Sequence, residues 1–196
     1  MQFIEVQRTH PLRRRVESCI KGVYSNQYGA SLNDFPALLV ALIDEGGAVA
    51  CAAGLRFGTE GFFSERYLSK PIDQILDQLW ASPVGRDQVG EITSLAGIKP
   101  GASLLLFKHI VGLFQERAVS WAFFTATERL RATLRRSGVP VLDIGEASTS
   151  CVDEPAQWGA YYDTNPRVVA VHDSMLSIVP PTGLPQGQGA EIAASA

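Results

Sequence analysis

A chain of 196 residues, 46% of them hydrophobic, is long enough for one packed domain or a domain with a tail. The formal net charge of -3 argues against nonspecific nucleic-acid binding as the main role, because counterion release needs a clustered basic face. Cys19, Cys51 and Cys151 are odd in number and far apart, which excludes a disulfide framework or a structural zinc site and suits a reducing compartment. Met1 to Cys19 holds no basic-then-apolar leader, and no apolar run approaches the ~18 residues that span a bilayer, so the expected location is the cytoplasm.

Phe3-Ile4-Glu5-Val6 alternates and reads as an opening strand. After His10-Pro11, the residues Val16, Cys19, Ile20, Val23 and Tyr24 recur at helical spacing, leaving Arg13, Arg14, Glu17 and Lys21 toward water. Arg13-Arg14-Arg15, the one tight basic run, reads as a solvated face of this helix, which should end near Tyr28-Gly29. Two apolar runs, Phe35 to Ile43 and Ala48 to Arg56, flank Asp44-Glu45-Gly46-Gly47 and predict a hairpin, since glycine supplies the positive dihedrals of a tight turn. The aromatic stretch Phe62 to Leu68 carries Glu65 and Arg66 at its centre, and a helix from Pro71 to Trp80 follows.

The segment Gln88 to Ala147 predicts strand, helix, strand, helix, strand. Val89 to Ile98 is the first strand, Lys99-Pro100-Gly101 a turn, and Ala102 to Arg117 a helix with Ser103 as its N-cap. Ser120 to Ala126 is a buried strand, Thr127 to Ser137 a helix stopped by Gly138, and Pro140 to Ile144 the third strand. The first crossover should lie right-handed on a parallel sheet. Asp153 to Asn165 is irregular, Pro166 to Val171 a last strand, and residues 179–196 a flexible tail rich in Pro, Gly and Ala after a single domain spanning 1–178.

A turn opening a helix offers unpaired amides to phosphate, and Ile98 to Ser103 follows that pattern. The unit resembles the core of the N-acyltransferase-like (GNAT) superfamily, with Lys99, Gly101 and Ala102 near its pyrophosphate loop. That resemblance implies an α/β fold: a mixed sheet of about six to seven strands flanked by helices. Tyr28-Gly29-Ala30, Ala53 to Arg56, Phe63 to Leu68, Gly90 to Ala96, Trp121 to Thr127 and Trp158 to Tyr162 together resemble the thermostable hemolysin family. Its pattern in turn is similar to the acyl-homoserine-lactone synthases, where a glutamate on the fourth strand handles the amine. Glu91 matches that glutamate, but Ser94 stands where those enzymes carry an arginine, which points away from homoserine-lactone synthesis and leaves thioester-dependent acyl transfer.

What the resemblance implies is an N-acyltransferase taking acyl-CoA or an acyl carrier protein as donor and an amine as acceptor, with no tightly bound cofactor. Gly97, Ile98, Lys99, Gly101, Ala102 and Ser103 would hold the donor's phosphate arm. An amine must lose a proton before attacking a thioester, so Glu91, an acid in an apolar strand, is the leading base, or else a buried partner of Arg56. Glu65 is the second acid, or else half of a local ion pair with its neighbours. Tyr161 or Tyr162 would protonate the leaving thiolate, or else pack beside Trp158. Arg56, Arg66, Trp121, Thr125, Thr127 and Trp158 would contact substrate, with Thr127 equally suited to cap the following helix. Strand amides near Ala96 and Ile98 would face the oxyanion. His10, His109 and His172 share no metal-ligand spacing, and no Gly-x-Ser-x-Gly elbow is present. The alternative is a noncatalytic membrane-active or lipid-binding protein, and a homodimer is left open.

Overall fold

Seven strands form one sheet in the computed structural model, which describes residues 1–80 and 82–176. They are β1 (Gln2–Val6), β2 (Leu38–Ile43), β3 (Val49–Phe57), β4 (Val89–Gly97), β5 (Trp121–Ala126), β6 (Leu142–Glu146) and β7 (Arg167–His172). Across the sheet they run β1-β2-β3-β4-β5-β7-β6. The first four are antiparallel neighbours, β4 and β5 are parallel, and β7 inserts antiparallel between β5 and β6. The helices are α1 (Arg13–Tyr28), α2 (Ile72–Leu79), α3 (Ala102–Glu116) and α4 (Glu128–Arg136). This is the expected α/β mixed sheet with flanking helices; the predicted tail at 179–196 lies outside the described residues.

Period-two alternation divides each central strand between two faces. Val40, Leu42, Ala53, Leu55, Ile92 and Phe124 pack with Leu106, Ile110 and Phe114 of α3 and Leu134 of α4. On the opposite face, Leu39, Ala41, Ala52 and Ala96 lie under Val16, Ile20 and Tyr24 of α1. Farther along that face Trp121, Phe123, Val168 and Ala170 lie under Ile72 and Leu76 of α2. A gap between α1 and α2 therefore leaves part of the sheet open to residues from loops.

Two local expectations are corrected. Arg13 is only 7% exposed, because its Nη1 donates to the carbonyls of Val6 and Ala37 and its Nη2 to that of Pro36. Its guanidinium thus ties the end of β1 to the Pro36–Ala37 segment before β2, and Glu17 neutralises it at 2.6 Å. Ser103 does not cap α3; Gly101, at φ 76°, opens the helix, and the Ser103 hydroxyl instead accepts the Cys51 thiol at 3.8 Å. Burial pushes that thiol up to about 12. Thr127 does cap its helix, its Oγ1 accepting from the Leu130 amide at 3.3 Å.

The irregular segment before β7 docks on the end of α1. Ala160 donates its amide to the Tyr28 carbonyl at 2.8 Å, and Ser31 donates to Gln157 at 2.7 Å. Gly159, at φ 50° and ψ -130°, makes this contact possible, since a Cβ there would stand 2.0 Å from the Tyr28 oxygen. Gly159→Ala is expected to cost roughly 2–4 kcal/mol of stability, because both the backbone strain and the overlap must be relieved. The shift of the urea midpoint at unchanged slope measures it.

Candidate active site

β4 and β5 pair only at Val89↔Trp121, Gly90↔Ala122 and Glu91↔Phe123, then separate. The cause lies in β4. Between Gly54↔Thr93 and Ala52↔Ala96, three steps on β4 oppose two on β3, so one residue bulges, and Ser94 takes the left-handed φ of 51°. A bulge bends its strand, and here it turns β4 away from its parallel neighbour.

Two cavities meet where the strands part. A slot of about 510 Å³ runs between Leu95, Gly97 and Phe107 on one side and Phe124, Leu130 and Leu134 on the other, reaching the Gly101–Ser103 turn. A cleft of about 320 Å³ lies on the α1 face, walled by Arg56, Phe63, Ser64, Arg66, Tyr67 and Trp158. Tyr24, Ile92, Ser94, Thr125 and Tyr161 border both. Among the described residues no group of His, Cys, Asp or Glu is arranged to hold a metal ion.

Glu91 is fully buried and lines neither cavity. Its Oε2 accepts the Phe63 amide and its Oε1 the Ser64 amide, both at 2.7 Å, so the carboxylate fastens the turn Ser64–Tyr67 to the sheet. No ion pair joins it to Arg56. Burial raises its pKa, and the hydrogen bonds from Ser64 and Phe63, with the more distant Arg56, recover only part of that shift. The Ser64 hydroxyl lies beside this carboxylate and 2.9 Å from Thr125 Oγ1. Ser64 thus lies between the buried acid and the junction, its amide on Glu91 and its hydroxyl on Thr125.

Glu65 lines neither cavity. It receives Arg86 at 2.7 and 2.8 Å and the Ile72 amide at 2.9 Å, capping α2, while Arg86 also reaches Asp73. Burial alone would raise its pKa, but the Arg86 guanidinium and the Ile72 amide bring it below the usual carboxylate range. Tyr161 stands at the junction with its ring stacked 6.1 Å from Tyr24 and edge-on to Tyr28. Burial, then the neighbouring phenols, raise its pKa and keep it protonated. Tyr162 stands back from the cavities, braced to Tyr67 by a hydroxyl contact of 2.6 Å. Trp158 and Arg66 belong to the cleft wall, Thr127 to the slot. Trp121 is buried between Trp80 and His172, with ring distances of 5.0 and 4.7 Å, and lines neither.

At the slot's end the amides sort into two sets. Ile98 and Lys99 both donate to the Ala50 carbonyl, at 2.9 and 3.3 Å, so the Ile98 amide faces β3 and not an oxyanion as expected. Ala102 donates to Lys99 at 3.2 Å. The amides of Gly101, Ser103 and Leu104 have no acceptor among the described residues. Lys99 leans onto Asp44 of the β2–β3 hairpin at 2.6 Å. Three contributors escaped sequence reasoning: Tyr24, the Ser94 bulge, and Arg129, an exposed residue of α4 that lines the slot. Arg129's place, two residues after the Thr127 cap, was the available signal.

The acyl-homoserine-lactone synthase LasI superposes with a TM-score of 0.56 over 87% of this chain and 90% of its own, at 9% identity. TofI, solved with an inhibitor and MTA, matches with a TM-score of 0.56 over 88% and 91%, at 16% identity. FeeM, an N-acyl amino acid synthase from uncultured soil microbes, gives a TM-score of 0.57 over 87% and 90%, at 13% identity. These likenesses show a shared fold. No curated protein matches the chain. The family model for thermostable hemolysin matches residues 6–175, and the chain belongs to that family.

Proposed function

We propose that this chain transfers an acyl group from a thioester on a phosphopantetheine arm, carried by coenzyme A or an acyl carrier protein, to an amine. The observation that carries this reading is the meeting of a slot and a separate cleft at the parting of β4 and β5. A long thin donor lying between the parted strands and a compact acceptor in the cleft on the α1 face then meet at one point. The free amides of Gly101, Ser103 and Leu104, at the positive end of α3, suit the donor's phosphate, and Arg129 adds a charge on the facing wall. The acceptor's proton leaves through Thr125 and Ser64 to Glu91, whose raised pKa favours taking it. Tyr161, protonated at the junction, returns a proton to the departing thiolate. Glu65 serves as the brace of the loop and α2. The three free cysteines suit a reducing, cytoplasmic setting.

Acyl-CoA and a free acyl-phosphopantetheine should each stabilise the protein saturably. At ~100 times Kd the gain is about 2.7 kcal/mol, or roughly 5–10 °C in Tm. No shift with either compound would overturn the reading. Lysis of protein-free liposomes without any thioester would favour the membrane-active alternative; no helix among the described residues is long and apolar enough to cross a membrane.

A further inference from the structure

We infer that the acceptor is an amino carboxylate, an α-amino acid with an apolar side chain, and that Arg56 binds its carboxylate. This deepens the acyl-transfer reading and rests on it. Arg56 lies on β3 opposite Glu91, in the wall of the cleft. Both Glu91 oxygens accept amides of the Phe63–Ser64 turn. Among the described residues the guanidinium's one polar contact is Nη2 to Asp34 at 3.4 Å, and that Asp34 side chain is 87% exposed. Its Nε is the one buried side-chain nitrogen or oxygen without a hydrogen-bond partner among the described residues.

An arginine carries five donors in a planar fork that a carboxylate can satisfy two at a time. A guanidinium turned off Asp34 would offer Nε–H and the neighbouring Nη–H as a pair, and a carboxylate entering the cleft that Arg56 walls would supply the missing acceptor. The same cleft holds Asp34, Asp153 and Glu154, all exposed at its edge, which suit an ammonium group. A zwitterion matches both signs, whereas a simple amine leaves Arg56 unanswered. A volume of about 320 Å³ with Phe63, Tyr67 and Trp158 in its wall fits a small apolar side chain. In the reaction the ammonium gives up one proton to become an amine, and the nitrogen pair forms the N–C bond at the thioester carbon. The adduct's nitrogen loses a second proton, so that one proton is released net once the thiolate has taken its own. The C–S bond then breaks, the thiolate takes a proton, and an N-acyl amino acid leaves.

The experiment compares leucine and phenylalanine with their decarboxylated counterparts, 3-methylbutylamine and 2-phenylethylamine, using acyl-CoA and acyl-phosphopantetheine as donors. Donor-free calorimetry on leucine runs beside it. Arg56→Ala, and Arg56→Met to keep the side-chain stem, should raise KM for the amino acids ~10- to 100-fold more than for the amines, and weaken leucine binding by the same factor. Equal use of amino acids and amines by the wild type, or equal losses for both in the variants, overturns the inference while acyl transfer stands. Leucine binding that depends on Arg56, with no acyl transfer to any amine, keeps the carboxylate subsite and overturns the transferase. Absence of both overturns both.

Discussion

Glu91→Gln is expected to lower acyl transfer by ~10²- to 10⁴-fold while the chain still folds, the range lost when a general base is removed. Glutamine keeps the length of the side chain but offers one acceptor where the carboxylate offers two, so one of the amides of Phe63 and Ser64 would face an NH₂ group. That mismatch should cost ~1–3 kcal/mol, and Glu91→Ala, which strands both amides, roughly 3–5 kcal/mol. The pH dependence separates chemistry from scaffolding. Burial raises the folded pKa of Glu91 above its ordinary 4.5. Its contribution to stability is therefore fully present below that value and is lost as pH rises through the folded one. The wild type should gain stability on Glu91→Gln as pH falls across that window, read as the difference between their unfolding free energies. In catalysis the same ionisation sets the acid limb of kcat/KM, since only the carboxylate accepts a proton. The limb should vanish in Glu91→Gln. An unchanged limb, or intact activity, would leave Glu91 as an anchor for the Ser64–Tyr67 turn and nothing more.

The cost of burying an acid made Glu91 visible in sequence, and alternation with glycine punctuation made the strands and the hairpin visible. What escaped depended on contacts between distant segments. Arg13 reads as one of three arginines on a polar helix face, and only the carbonyls of Val6, at the end of β1, and of Pro36 and Ala37, more than twenty residues on, reveal why it turns inward. The bulge at Ser94 is hidden because Gly90 to Gly97 reads as an uninterrupted strand; the extra residue shows only against the register of β3. Sequence order likewise suggests β6 beside β5, whereas β7 takes that place with six cross-strand pairs, Trp121↔His172 through Ala126↔Arg167. The resemblance to a pyrophosphate loop makes Lys99 a phosphate ligand, yet the hairpin brings Asp44 within 2.6 Å of it. Arg129 was concealed for the opposite reason: in a helix as polar as Glu128–Arg136 one more arginine draws no notice until the slot is seen beside it.

Thr133→Trp should weaken donor binding on the order of 100-fold, equal to about 2.7 kcal/mol, without disturbing the acceptor cleft. Thr133 lies on the slot side of α4 between Arg129 and Leu134, while the cleft is walled by other residues. Its hydroxyl donates back to the Arg129 carbonyl at 2.9 Å and accepts from the Arg136 guanidinium at 3.4 Å, both exposed contacts within α4 that the helix can lose at little cost. Tryptophan and threonine have similar helix propensities, so the exchange spares α4 and directs a bulky ring into space a thioester arm would need. Arg135→Trp, an exposed position of the same helix that does not line the slot, is the control and should bind acyl-CoA as the wild type does. Calorimetry with acyl-CoA on the three proteins decides the matter. Wild-type affinity in Thr133→Trp would mean the donor does not lie between β4 and β5, and the parting caused by the Ser94 bulge would then have to be explained by something other than a thioester.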